Sequence, residues 1–74
     1  MRINERLRAL RKEHRLSQAV VADMLQIPPR TYSDYETGHA RIPVDRLMIL
    51  ARYYDCCLDY ITCASNLLHP YPQR

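Results

Sequence analysis

Apolar positions recur along this chain with the spacing of helix faces. Ile3, Leu7 and Leu10 fall at i, i+4 and i+7 within a charged surround, which predicts an amphipathic helix over 3–15 with Asn4 as its N-cap. Ser17 is placed to cap a second helix running to about Leu25, with Val20 standing at the N3 place where a capping-box acid would sit. Pro28-Pro29 ends anything helical at or before Ile27. Pro29 suits the first turn of a third helix, where its missing N–H has no partner to lose. That helix is predicted from Pro29 to Thr37, with Tyr32 and Tyr35 turned inward and Gly38 as its C-cap. Pro43 opens a fourth, in which Leu47, Leu50, Ala51 and Tyr54 repeat at i, i+3, i+4 and i+7. A short fifth is expected from about Cys57 to Ala64, with Leu58, Tyr60 and Ile61 apolar; Cys57 is a poor capper, so this helix should fray. Residues 65–74 contain Pro70 and Pro72 and read as a loose tail, kept from being purely polar by Leu67, Leu68 and Tyr71.

Composition narrows the picture. A chain of 74 residues allows one domain, placed at 1–64, followed by the tail at 65–74. One glycine, Gly38, is too few for a sheet-rich fold with several tight turns. Uncharged runs fall far short of the roughly 20 residues a bilayer span needs. The charged N-terminus has no apolar signal-like core after it, so a cytoplasmic protein is expected. The net charge of +3 is uneven: Arg2, Arg6, Arg8, Arg11, Lys12 and Arg15 against Glu5 and Glu13 leave +4 on residues 1–15. Charge alone favours a solvated basic helix there. Cys56, Cys57 and Cys63 fit no zinc spacing and read as reduced thiols, the adjacent pair as buried small hydrophobes. His14, His39 and His69 are scattered, with no carboxylate pair or nucleophile beside them. No enzyme, cofactor or metal is expected.

Helices two and three are too short for bundle helices, and only about three residues join them. Helix three also carries hydrogen-bonding groups on its polar face. A short helix, a tight turn and a polar-faced helix are the parts of a helix-turn-helix, which lays its second helix in the DNA major groove. Leu16-Ser17-Gln18-x-x-Val21-Ala22-x-x-Leu25, Thr31-Tyr32-x-x-Tyr35-Glu36-x-Gly38 and Pro43-x-x-x-Leu47-x-x-Leu50-Ala51-x-x-Tyr54-x-x-x-Leu58-Asp59-Tyr60-Ile61 together resemble the Cro/repressor-type (lambda-repressor-like, XRE-type) helix-turn-helix family over residues 3–62. The resemblance implies an all-α, five-helix, lambda-repressor-like DNA-binding domain with the helix-turn-helix at helices two and three.

It also implies roles. Gln18, in the first turn of helix two, would donate its amide to a DNA phosphate beside the helix N-terminus. Ala22 would let helices two and three approach closely. On helix three, Pro29, Arg30, Ser33 and Asp34 would face the bases. The Arg30 fork can take guanine O6 and N7 together, and Asp34 can accept from cytosine N4 or hold that fork. Pro29 offers only apolar contact, as to a thymine methyl. Thr31 and Ser33 suit a base or a phosphate. Thr37, His39 and Arg41 would grip the phosphate strand, and Arg11 with Glu36 would form a structural ion pair. Three positions depart from the family pattern: Gln26 stands where the turn usually has glycine, Pro28 where the third helix usually has a Ser or Thr cap, and apolar Val20 where the family is charged and exposed. The expected partner is a double-stranded DNA operator bound by a homodimer, with the protein acting as a transcriptional repressor. Dimer contacts would come from helix five and the tail, through Leu58, Ile61, Leu67, Leu68 and Tyr71, unless the tail folds back on its own core. The alternative is an antitoxin or similar module whose partner is a toxin protein.

Overall fold

The computed structural model describes residues 1–63. It contains α1 (Ile3–Glu13), α2 (Gln18–Met24), α3 (Pro29–Thr37), α4 (Val44–Tyr53) and α5 (Leu58–Ile61), with no strand among the described residues. α2 packs on α3, α1 on both α3 and α5, and α4 on α5. Leu7, Val21, Tyr32, Leu50 and Ile61 are fully buried at the centre. Ala22 is also fully buried, on the helix that packs most against α3. Every apolar position assigned inward on α1, α3 and α4 lies against this core, with Ile3 at its edge.

The helix ends share one device. After α1, the Arg15 and Leu16 N–H groups return to the Lys12 and Arg11 carbonyls; after α2, Gln26 and Ile27 return to Asp23 and Ala22; after α4, Asp55 and Cys56 return to Arg52 and Ala51. Each is a Schellman motif, with a left-handed residue followed by an apolar one that folds back on the core. The left-handed residues are Arg15, Gln26 and Asp55, at φ of 56°, 56° and 54°. Leu16, Ile27 and Cys56 are the apolar followers. Gly38 serves α3 at φ 84° and Cys63 follows α5 at φ 67°, so glycine appears at one of five such positions. A side chain there costs about 1 kcal/mol. Replacing Gln26 by glycine is therefore expected to stabilise the domain by about 0.5–1 kcal/mol, a gain in Tm of roughly 2–8 °C. A thermal melt reads this directly; an unchanged or lower Tm would show that the turn holds no such strain.

Four expectations are corrected. The first helix begins at Ile3 with Arg2 in the cap position, and the Arg2 N–H donates to Glu5 Oε1 at 2.8 Å. Asn4 is not the cap because its side chain is spent elsewhere, donating through Nδ2 to the Glu36 carbonyl at 3.3 Å. The same helix stops at Glu13 rather than residue 15, closed by the Arg15 turn. α5 is a single turn ending at Ile61, since Cys63 has left the helical region. Of the adjacent cysteines only Cys56 is buried, and that burial pushes its thiol up; Cys57 is half-buried at the start of α5. The boundary at residue 64 and the tail at 65–74 lie outside the described residues.

Candidate nucleic-acid interface

α3 has two unlike faces. Tyr32, Tyr35 and Glu36 are buried, whereas Pro29 and Arg30 are exposed and Thr31, Ser33 and Asp34 are half-buried. No side chain caps the N-terminus of α3: Pro28 occupies that position and only its carbonyl is used, by the Thr31 and Tyr32 N–H groups. Among the described residues Arg30 and Asp34 form no ion pair with each other, so the Arg30 fork is not held by its neighbour one turn away.

The buried face is fixed from three sides. Arg11 of α1 forms a two-pronged pair with Glu36, Nε to Oε2 at 2.7 Å and Nη2 to Oε1 at 3.1 Å, and its remaining Nη1 donates to the Leu16 carbonyl at 2.9 Å. Gln18 of α2 donates through Nε2 to Glu36 Oε1 at 3.2 Å. Arg46 of α4 donates to the Tyr35 hydroxyl at 2.6 Å. The ion pair is enclosed, with side chains 13% and 3% exposed for Arg11 and Glu36. Burial alone would raise the Glu36 carboxyl, but hydrogen bonds from Arg11 and Gln18 and the charge of Arg11 overcome it and hold the carboxyl below its usual range. Burial first, then the Glu36 carboxylate, drives the Tyr32 phenol far above its ordinary value, and burial pushes Tyr54 up to about 12. Both tyrosines thus remain neutral beside the pair.

Beyond α3 the chain forms a second polar edge. The Thr37 hydroxyl donates to the Asp34 carbonyl at 3.3 Å and lies 2.7 Å from His39 Nδ1, so these two exposed side chains hold each other. Arg41 is exposed and lines a groove of about 290 Å³ with Arg2, Asn4, Gly38 and Ala40. A methyl group on Gly38 would meet only Asn4 at ordinary contact distance, so the positive φ, not crowding, is what favours glycine there.

This arrangement is accompanied by a match in sequence: residues 7–61, from α1 to the end of α5, fit the family described as Helix-turn-helix. The chain belongs to the XRE-type helix-turn-helix family. It is 44% identical over 57 residues to a Bacillus subtilis (strain 168) protein named uncharacterized HTH-type transcriptional regulator YobD, covering 77% of this chain and 51% of that one. It is 38% identical over 55 residues to the HTH-type transcriptional regulator AnsR of the same organism, covering 74% of this chain and 47% of that one. The chain thus spans about half the length of the curated relatives it matches. No solved structure matches it.

Within the helix-turn-helix frame, the expected site residues fall into separate groups. Pro29, Arg30, Ser33 and Asp34 share the outward side of α3, and Thr37, His39 and Arg41 follow it. Gln18 stands apart, because one of its amide N–H groups already serves Glu36. Val20 is 47% exposed, so its apolar side chain stands at the surface. Ile61, expected among dimer contacts, is fully buried and belongs to the core. Arg6, counted among the basic surface groups, is also buried; its guanidinium sits 3.9 Å above the Tyr60 ring and ties α1 to α5. Sequence reasoning missed Arg46 and Asn4, which brace α3, and Arg2, which shares the Arg41 groove. Arg46 lies four residues before Leu50 on a predicted helix, but nothing in its spacing names Tyr35 as its partner. Among the described residues no helix is long and apolar enough to cross a membrane.

Proposed function

We propose that this domain binds double-stranded DNA sequence-specifically as part of a transcriptional regulator, laying α3 in the major groove of an operator and acting there as a repressor. The observation that carries this reading is the division of α3: its inner face is braced by Arg11, Asn4, Gln18 and Arg46, while Arg30 stands exposed and unpaired with Asp34 on the outer face. A rigid helix with an available guanidinium is what base reading requires. Arg30 is assigned to guanine, with Pro29, Ser33 and Asp34 completing the base-reading face. Thr31, Thr37, His39 and Arg41 are assigned to phosphates, joined by the second amide hydrogen of Gln18. The Arg30 backbone N–H in the first turn of α3 adds to that anion-binding edge.

One domain of this size covers little DNA, so the protein is assigned a homodimeric state on half-sites about one helical turn apart. Apolar side chains exposed on α4 support a compatible protein-binding role beside DNA. Selection from random duplexes, followed by gel shift across a salt series, tests the DNA reading. An enriched sequence and an affinity that falls steeply with salt are expected. No preferred duplex together with no salt-dependent affinity would overturn it.

A further inference from the structure

We propose that the outer face of α4 is the surface through which two copies of this chain pair, the two helices running antiparallel about a two-fold axis. This takes up the homodimeric reading above and assigns its surface, independently of DNA. Val44, Met48, Ile49 and Tyr53 are 64%, 41%, 45% and 50% exposed. Most of the large exposed apolar side chains among the described residues therefore sit on this one helix of ten residues. Asp45 and Arg52, both exposed, lie two turns apart along the middle of the same face.

That pattern is self-complementary. An isologous interface sets each residue against a fixed counterpart on the other copy. With α4 antiparallel and the axis beside its midpoint, Met48 meets the partner's Met48, Ile49 meets the partner's Ile49, and Asp45 meets the partner's Arg52 at both ends. Val44 and Tyr53 close the edges. A parallel arrangement would set Asp45 on the partner's Asp45 and Arg52 on the partner's Arg52, and like charges exclude it. Tyr53 is already positioned, with its ring edge-on to Tyr54 at 5.4 Å and tilted against His14 at 6.2 Å. The face continues into a groove of about 380 Å³ between α4 and α5, lined by Met48, Arg52 and Leu58, and Leu58 is itself 38% exposed. A helix about 15 Å long with this margin covers an area at the low end for specific interfaces. The dimer is accordingly concentration-dependent.

Sedimentation equilibrium of the full chain over a concentration series is the test, with circular dichroism confirming that each variant folds. A monomer–dimer equilibrium is expected, weakened about tenfold or more by Met48→Glu and likewise by Asp45→Arg or Arg52→Asp. An equimolar mixture of the Asp45→Arg and Arg52→Asp chains should pair again, because each end of the interface then joins opposite charges. A folding defect cannot produce that rescue. A wild-type chain that stays monomeric, or a dimer indifferent to Met48→Glu and to both reversals, overturns the proposal. A monomer that still shifts its selected duplex leaves the DNA reading standing.

Discussion

Replacing Glu36 by alanine is expected to cost about 3–5 kcal/mol, the penalty for stranding one member of a buried ion pair. A domain of 74 residues holds only about 4–11 kcal/mol in total, so this single change should remove roughly a quarter or more of its stability. The size follows from what Glu36 accepts: two hydrogen bonds from Arg11 and one from Gln18, at 3% side-chain exposure. Its loss leaves the Arg11 guanidinium enclosed with only the Leu16 carbonyl. Urea denaturation of Glu36→Ala measures the cost, and a midpoint equal to wild type would show that the pair is no clamp. The pH dependence has a definite sign. A carboxyl held below its ordinary value stabilises the fold fully above that value, roughly pH 4.3, and the contribution is lost as pH falls through the folded value. Wild type should therefore weaken on acidification below that point, and Glu36→Gln should flatten this part of the profile.

The limits of α3 were legible because its ends are written in backbone chemistry: Pro28-Pro29 cannot continue α2, and Gly38 supplies the left-handed residue that closes α3. The inward tyrosines followed from periodicity. What escaped the sequence depends on tertiary placement. Asn4 has a capping side chain, but the chain that passes beside it is the end of α3, so the amide serves the Glu36 carbonyl. Arg6 reads as a solvated cation until Tyr60 is brought over it. Gln18 sits at a helix N-terminus, a good place for a phosphate, yet its amide also faces the buried carboxylate. The Schellman turns at Arg15 and Asp55 carried no glycine to announce them; only the apolar follower, Leu16 or Cys56, marks the device. The outer face of α4 was hidden because Val44, Met48 and Ile49 interleave with the core-facing Leu47, Leu50 and Ala51, and a helix apolar on nearly every side looks simply buried.

Arg30→Ala should abolish sequence preference at one position of the selected duplex while leaving the fold intact. Arg30 is exposed and makes no ion pair with Asp34, so its removal strands no buried partner, and the melting temperature should stay close to wild type. The loss belongs to the complex. A bidentate guanidinium on guanine contributes about 1–3 kcal/mol of discrimination, a drop in affinity of roughly five- to two-hundred-fold for the selected site with little change for unrelated sequence. Arg41→Ala separates the two kinds of contact. A phosphate contact carries charge but no sequence information, so its removal should weaken every duplex alike and lower the slope of log affinity against log salt by about one. Asp34→Ala should act in a third way. A carboxylate on a DNA-facing helix repels phosphate and rejects bases that offer it no donor, so its removal should raise affinity for unrelated duplexes while relaxing specificity. Gel shifts of the three variants on selected and scrambled duplexes distinguish these outcomes. If Arg30→Ala weakens both duplexes equally and reduces the salt slope as Arg41→Ala does, Arg30 is a phosphate contact and the reading of bases must lie with Ser33 and Asp34.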